Sequence, residues 1–327
     1  MVPWVRLALD VAAFDDSPFR DHLERARAAG VTFTTYADLA DARALYELNR
    51  TCSADIPGRG AFHSFDEYVA QRIDVPSFDP RGVVLALDPA GRWIGMAATS
   101  VHPGGAFSEM TGVVREWRGR GLSLALKLLA VRFVRDAGLP VLRTVHHPAN
   151  AAAIGMNRRL GFVDDPGPRV RSAVPSDAPD LTALMHASAA YRGEYAAILD
   201  GYEVTPDYLE RHPAFVAVDV FGRVLGFASL LTDPPELDLL FVSDAAQGGG
   251  VGRLLVERTL ERARELGLAS VRVVSHPPAE AFYLRLGAER TGTVPPRPPR
   301  VTWERPDLRF VLAPGESLGA AGRPLSS

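Results

Sequence analysis

The chain has 327 residues, 47% of them apolar and 23% charged, with a formal net charge of -3. That length suggests about two domains of roughly 150 residues each, and the balanced charge (sequence pI near 6.3) gives no electrostatic footprint for nucleic acid or an anionic membrane. The single cysteine, Cys52, excludes an internal disulfide and any zinc site built on several thiolates, so no metal centre is expected.

Residues 1–10 form a short apolar stretch broken by Arg6 and Asp10, which does not read as a signal peptide. No apolar run approaches the ~20 residues of a membrane span, and a cytoplasmic location is expected. Residues 4–9 read as a strand. Ser17 and Pro18 open a helix that Gly30 closes, as an N-cap serine and an N1 proline should. A strand at 31–35, a helix at 39–49, a Gly/Pro-containing loop at 51–65 and a helix at 65–73 follow. Strands at 83–87 and 93–101 face each other across the tight turn at 88–91. A third strand runs over 108–114. Leu122, Ala125, Leu126, Leu129 and Phe133 give the helix at 122–136 its apolar stripe, and Gly138 ends it. A strand at 141–145 and a helix at 150–160 complete the first half. Lysine occurs only at Lys127, which reads as a compositional bias of the genome.

Residues 164–168 are rich in Asp, Pro and Gly and read as a linker, after which the order repeats. A strand at 169–174, a helix from Ser176 to about 187, a loop over 191–208 that ends in a short helix, and a hairpin of 214–218 with 224–231 lead to a strand at 237–242. A helix at 251–266, a strand at 270–274, a helix at 279–286, a Pro-rich loop at 295–299 and a strand at 308–312 follow. The Gly/Ser-rich tail reads as disordered. Aligning Arg118 with Gln247 puts Gly121 on Gly250, Val113 on Val242 and Glu109 on Asp238. A three-residue gap between helix and next strand then puts Gly161 on Gly287, Asn150 on His276 and Asn157 on Tyr283. A repeat of this length means two copies of one domain. The expected division is an N-terminal strand and helix extension at 1–30, a first domain at 31–165 and a second at 166–327. The first copy lacks a final strand after Phe162, and residues 4–9 are candidates to fill that place.

Each copy carries a glycine-rich turn between a strand and a helix: Arg118-Gly119-Arg120-Gly121-Leu122-Ser123 and Gln247-Gly248-Gly249-Gly250-Val251-Gly252. Such a turn points backbone N–H groups at one spot, and the helix N-terminus adds partial positive charge, which suits a phosphate. Neither turn ends in the Gly-Lys-Ser/Thr of a P-loop, and neither has the third glycine of a Rossmann turn, since Arg253 stands there. Both fit Gln/Arg-x-x-Gly-x-Gly/Ala, with Ser123 as a small-residue departure.

With Thr111-Gly112-Val113 before the first turn and Asn150…Met156-Asn157-Arg158-Arg159-Leu160-Gly161-Phe162 after it, the chain resembles the GNAT superfamily of N-acetyltransferases. In the second copy the resemblance rests on the turn and on Ala281-Phe282-Tyr283-Leu284-Arg285-Leu286-Gly287-Ala288. It covers residues 31–314. It implies an α/β (α+β) fold of two tandem domains, each a mixed, mostly antiparallel twisted sheet with helices on both faces. It further implies that the backbone at 118–123 and 247–252 binds the pyrophosphate of acetyl-CoA. The strands ending at Val113 and Val242 would splay from the next strand and hold the pantetheine arm in a V-shaped gap. A backbone N–H near Val242 would face the thioester carbonyl, and Asn150 would contact the cofactor or hold the strand splay, with His276 in its place in the second copy.

Acetyl transfer needs a base for the amine, a donor for the oxyanion and a proton for the thiolate. The resemblance places Tyr283 as the acid. Asp238 and Glu236 are candidate bases two residues apart on one strand face, and Glu109 matches Asp238 in the first copy. A core aromatic and a solvated strand edge are the alternative readings of these residues. Asn157 replaces the tyrosine in the first copy, and an amide is no acid, so chemistry there needs another donor. His146 and His147 point to opposite faces, which argues against a shared metal. Cys52 lies outside both cofactor motifs, which argues against a thioester on the enzyme. Residues 55–57, 191–195 and 303–306 are candidates to line the acceptor cleft, or ordinary connections. The expectation is direct transfer of acetyl from acetyl-CoA to a small-molecule primary amine, with no nucleic-acid or membrane partner, by a monomer or homodimer. Both copies would bind acetyl-CoA and the second would be the better catalyst. A non-catalytic acyl-CoA sensor or scaffold and a transferase of another acyl group remain as alternatives.

Overall fold

The computed structural model describes residues 3–58 and 60–312, so the expectation of a disordered tail falls outside the described residues. The chain divides into two compact units, residues 1–166 and 167–327. Among the described residues no helix is long and apolar enough to cross a membrane.

The first unit contains β1 (Val5–Asp10), α1 (Arg20–Ala28), β2 (Thr32–Thr35), α2 (Tyr36–Leu39), α3 (Ala42–Ser53), α4 (Phe65–Tyr68), β3 (Phe78–Leu87), β4 (Trp93–His102), β5 (Gly105–Val113), α5 (Leu122–Asp136), β6 (Val141–His146), α6 (Ala151–Arg159) and β7 (Val163–Asp164). The second contains β8 (Arg169–Ser172), α7 (Ala178–Ala187), α8 (Pro206–Arg211), β9 (Ala214–Val218), β10 (Val224–Thr232), β11 (Pro235–Val242), α9 (Val251–Glu265), β12 (Ser270–Val274), α10 (Glu280–Arg285), β13 (Glu289–Val294) and β14 (Arg305–Val311). Two edge strands, β7 and β13, escape the sequence reading. Apart from the buried Val294 their residues are exposed and mostly polar, so no apolar alternation announces them.

Each unit is a seven-stranded mixed sheet. The orders are β2-β3-β4-β5-β6-β1-β7 and, read the same way, β8-β9-β10-β11-β12-β14-β13. Strand for strand they match, with one exchange: β1 occupies in the first sheet the place that β14 holds in the second. It runs antiparallel to β6 over six residues and also pairs with β7. Leu7 and Ala8 are fully buried there, so the N-terminal strand is an interior member of the sheet.

Helices cover both faces. In the second unit Ala217, Ala228 and Leu230 pack with Leu255 and Val256 of α9, while Val216, Val218 and Phe227 pack with Leu181 and Met185 of α7. That is the period-2 pattern of strands buried on both sides. In the first unit α5 packs with Val131 and Val134 on one face, and Leu45 and Leu48 of α3 cover the other.

The register of the parallel strands corrects one detail of the repeat. Phe107 pairs with Arg143, and Glu236, its equivalent, pairs with Arg272. The two copies therefore stay in step through β6 and β12. The three-residue gap lies after the strand, before α6 and α10, and not before it as the sequence alignment supposes.

Candidate functional site

The parallel pair β5 and β6 is bonded only at Ala106–Phe107, and β11 and β12 only at Glu236. Beyond those points each pair diverges, and a gap opens between the C-terminal half of β5 or β11 and the following strand. Val113 and Val242 pair with Gly95 and Gly226 on the inner side, which leaves their other edge to the gap.

A bulge aims the carboxylates. Opposite Ala98 and Thr99 stand Met110 and Ser108, so Glu109 is the extra residue; opposite Ser229 and Leu230 stand Leu239 and Leu237, so Asp238 is. Leu237 packs in the α9 cluster, whereas Leu239 and Phe241 pack in the α7 cluster, a switch of face that only an inserted residue produces. Glu109 accepts from Ser100 Oγ at 2.7 Å and pairs with Arg72 at 2.9 Å. Asp238 accepts from Tyr208 Oη at 2.5 Å, and that hydroxyl lies 2.7 Å from Ser229 Oγ. Glu236 stands 3.5 Å from Arg272. Burial raises its pKa above the usual carboxylate range, the nearby Asp238 and Asp307 add to this, and Arg272 opposes it. These surroundings favour its taking a proton.

At the ends of β5 and β11 the glycine turns begin. Gly119, Gly121, Gly248 and Gly250 have φ between +75° and +82°, where a side chain would be strained. Gly121 caps α5 and Gly250 caps α9. The amides of Gly119, Arg120, Gly121, Leu122 and Ser123, and those of Gly248, Gly250, Val251 and Gly252, have no acceptor among the described residues. Unpaired amides converging at a helix N-terminus form an anion cradle. The side chains of Arg118 and Gln247 do not face it. Arg118 Nε donates to the Val113 carbonyl at 3.0 Å, and Gln247 Nε2 to the Val242 carbonyl at 3.3 Å. They fasten turn to strand, and Arg118 also holds Asp55 at 2.6 Å. Arg120 lies over the Trp117 ring, 4.8 Å from its centre. Asn150 caps α6, its carboxamide oxygen accepting from Ala153 N at 3.3 Å.

The two gaps end differently. In the first unit Asn157 is fully buried; its Nδ2 donates to His146 Nε2 at 2.8 Å and to the Ala153 carbonyl at 3.0 Å, while its Oδ1 has no partner among the described residues. His146 is pushed down to about 4 by burial, with Lys127 adding to this, so it is neutral. Lys127, 1% exposed, donates to Ser108 Oγ, and Thr144 Oγ1 donates to the Ser108 carbonyl at 3.2 Å. Burial pushes the Lys127 amine down to about 7. The equivalent places in the second unit hold Val256, Leu237, Val273, Ser275 and Tyr283. Tyr283 is 7% exposed, and burial raises the pKa of its hydroxyl, with Tyr191 adding to this. Tyr191 reaches across the second gap, its ring 5.2 Å from Phe241 and 4.7 Å from His276.

Lys127 was legible in the sequence only as an isolated lysine inside an apolar helical stripe, which is the signal that could have found it. His147, in contrast, turns away from His146 and meets the Trp4 ring at 5.6 Å. Cys52 is outside the motifs in sequence yet packs in space on Gly112 of β5. Its thiol is pushed up to about 12 by burial and stays protonated, so it is a poor nucleophile for that reason and not because of distance. An open hollow of about 600 Å³, walled by Phe33, Arg81, Arg132 and Phe133, lies toward the other end of α5 and shares no residue with the turn.

Two family models match the chain. The Acetyltransferase (GNAT) family matches residues 42–162 and the Acetyltransferase (GNAT) domain residues 198–295. The chain is a tandem GNAT protein. Its two GNAT units are the two sheets described above. This GNAT chain is 33% identical over 145 residues to a mycothiol acetyltransferase of Pseudarthrobacter chlorophenolicus, covering 42% of the chain and 44% of the relative. It is 37% identical over 139 residues to that of Salinispora tropica, covering 41% and 45%. The match spans less than half the length of these relatives. A putative acetyltransferase of Salmonella typhimurium, solved with its cofactor acetyl-CoA, is 24% identical, with 45% of this chain and 95% of that one covered and a TM-score of 0.38.

Proposed function

We propose that this GNAT chain is an N-acetyltransferase that moves acetyl from acetyl-CoA to the primary amine of a small molecule by direct attack. The observation that carries the reading is the pair of glycine turns whose unpaired amides stand at the mouths of two strand gaps. A pyrophosphate satisfies those amides, and an extended pantetheine arm can pair with the bare strand edge at Val113 or Val242. The residues present therefore fit the co-substrate.

The second unit is proposed as the main catalytic centre. Glu236, beside Asp238, takes the proton of the attacking ammonium, and the freed nitrogen adds to the thioester carbonyl. A strand amide near Val242 holds the oxyanion. Tyr283, which keeps its proton through neutral pH, gives it to the departing thiolate and is restored by the second proton that the nitrogen sheds as the adduct collapses to the amide. In the first unit Glu109 matches Asp238, but Asn157 has no proton to give. The buried Lys127 favours a second reading, in which its ammonium supplies that proton and the first unit also turns over. The relatives are named mycothiol acetyltransferases, so a mycothiol-related amine heads the acceptor panel.

The test is thiol release from acetyl-CoA over that panel. Tyr283→Phe is expected to lower turnover about 100-fold, the usual contribution of a general acid, with acetyl-CoA affinity kept. Lys127→Met is expected to have little effect. If Lys127→Met or Asn157→Ala abolishes turnover and Tyr283→Phe does not, the first unit is the catalyst. Acetyl-CoA binding without turnover on any amine would instead point to a sensor.

A further inference from the structure

We propose that His22 and Arg25, from a helix outside the matched GNAT stretch, bind a phosphate of coenzyme A at the first glycine turn. The inference rests on the reading of that turn as a coenzyme A site.

The two turns share a backbone but not their surroundings. Beyond Gly250 the space that a Cβ would enter is open, with nothing within 4 Å. Beyond Gly121 it is taken: a Cβ there would lie 2.5 Å from His22 Nδ1. The imidazole of α1 thus rests on the middle of a turn whose amides from Gly119 to Ser123 lack acceptors. Arg25 Nη2 donates to His22 Nδ1 at 3.0 Å, which leaves the ring proton on Nε2 as a further donor. α1 begins at Arg20, ahead of the stretch matched by the family model, and the second unit has no described helix before its first strand, β8, so this wall belongs to the first unit alone.

Around His22 two arginines face one carboxylate. Burial lowers the pKa of the His22 ring, Arg25 on α1 and Arg159 at the end of α6 add to this, and Asp21 opposes them. The arginines beside the turn are otherwise engaged: Arg115 and Arg118 hold Asp55, and Arg120 lies on Trp117. His22 on Gly121, with Arg25 bonded to its ring, stands beside the unpaired amides at the N-terminus of α5, and a phosphate held by those amides is within the reach of this pair. Charge-assisted bonds from guanidinium and imidazole to phosphate oxygens are the strong kind.

The competing role for the same contact is obstruction, with the His22 ring closing the turn to any ligand. Calorimetric titration of the full chain with coenzyme A separates the two. The double variant His22→Ala/Arg25→Ala is expected to weaken one of two binding sites about tenfold or more and leave the other unchanged. Titration with 3′-dephospho-coenzyme A locates the contact: an equal loss assigns the pyrophosphate, and a vanished loss assigns the 3′-phosphate. Pantetheine, which has no phosphate, is expected to bind wild type and variant alike. Unchanged coenzyme A affinity in the variant overturns the proposal, and tighter binding establishes obstruction. Absence of coenzyme A binding to the wild-type chain overturns the underlying reading of the turns, a result distinct from either. Thermal melting of the variant within a few degrees of wild type confirms that the loss is local.

Discussion

Lys127 and Asn157 stand where the second unit has Val256 and Tyr283, and their neighbours changed with them. Where the second unit has Tyr283 and the small Ser275, the first has Asn157 bonded to the larger His146, so the bulk lost from the helix position is returned at the strand position. Val256 against Leu237 becomes Lys127 against Ser108, an apolar contact exchanged for a buried amine and its acceptor. The exchange has a thermodynamic consequence. An amine held near 7 in the fold and near its ordinary value when unfolded binds its proton in the unfolded chain first. Between about pH 7 and pH 10 the unfolded state therefore carries the extra proton. Stability attributable to this group rises with pH across that window, by about 1.4 kcal/mol per pH unit at most. Urea denaturation from pH 7 to 9.5 is expected to show this slope in the wild type and a shallower one in Lys127→Met, with the variant the more stable at pH 7. Equal slopes would mean that Lys127 is charged in the fold.

At the scale of elements, β1 and the bulges decide how each gap is built. β1 closes the first sheet from the wrong end of the sequence: it pairs with β6 as β14 pairs with β12. Its burial makes it a folding requirement. Leu7→Ala, at a fully buried site between β6 and β7, is expected to cost about 2–5 kcal/mol in chemical denaturation. A cost below about 0.5 kcal/mol would show that the strand is dispensable. The glycine turns give a paired prediction. Gly250→Ala meets only the backbone strain of a positive φ, roughly 1–2 kcal/mol. Gly121→Ala meets the same strain and the His22 ring, so it is expected to lower the melting temperature more. The reverse order would place His22 elsewhere.

At the scale of the whole molecule, the chain is one domain plan used twice with its parts differently supplied. Two acetyl-CoA molecules per chain are the expected stoichiometry by calorimetric titration, and Gly250→Val is expected to reduce it to one. A wild-type stoichiometry of one would mean that only one gap is open. Much of this plan is legible in the sequence, because glycine spacing and apolar period are local properties that survive in any copy: the turns, the strand–turn–helix order and the equivalence of Glu109 with Asp238 all follow from them. The bulge that aims those carboxylates does not, since it is defined by what lies across the ladder from Glu109. Nor does the gap's position after β6, which only strand pairing reveals. The tertiary structure alone brings residue 22 to residue 121, a strand from residues 5–10 beside β6, and Cys52 onto Gly112. In each case the partners are far apart in the chain, and what joins them is packing, which leaves no periodic mark in the residues themselves.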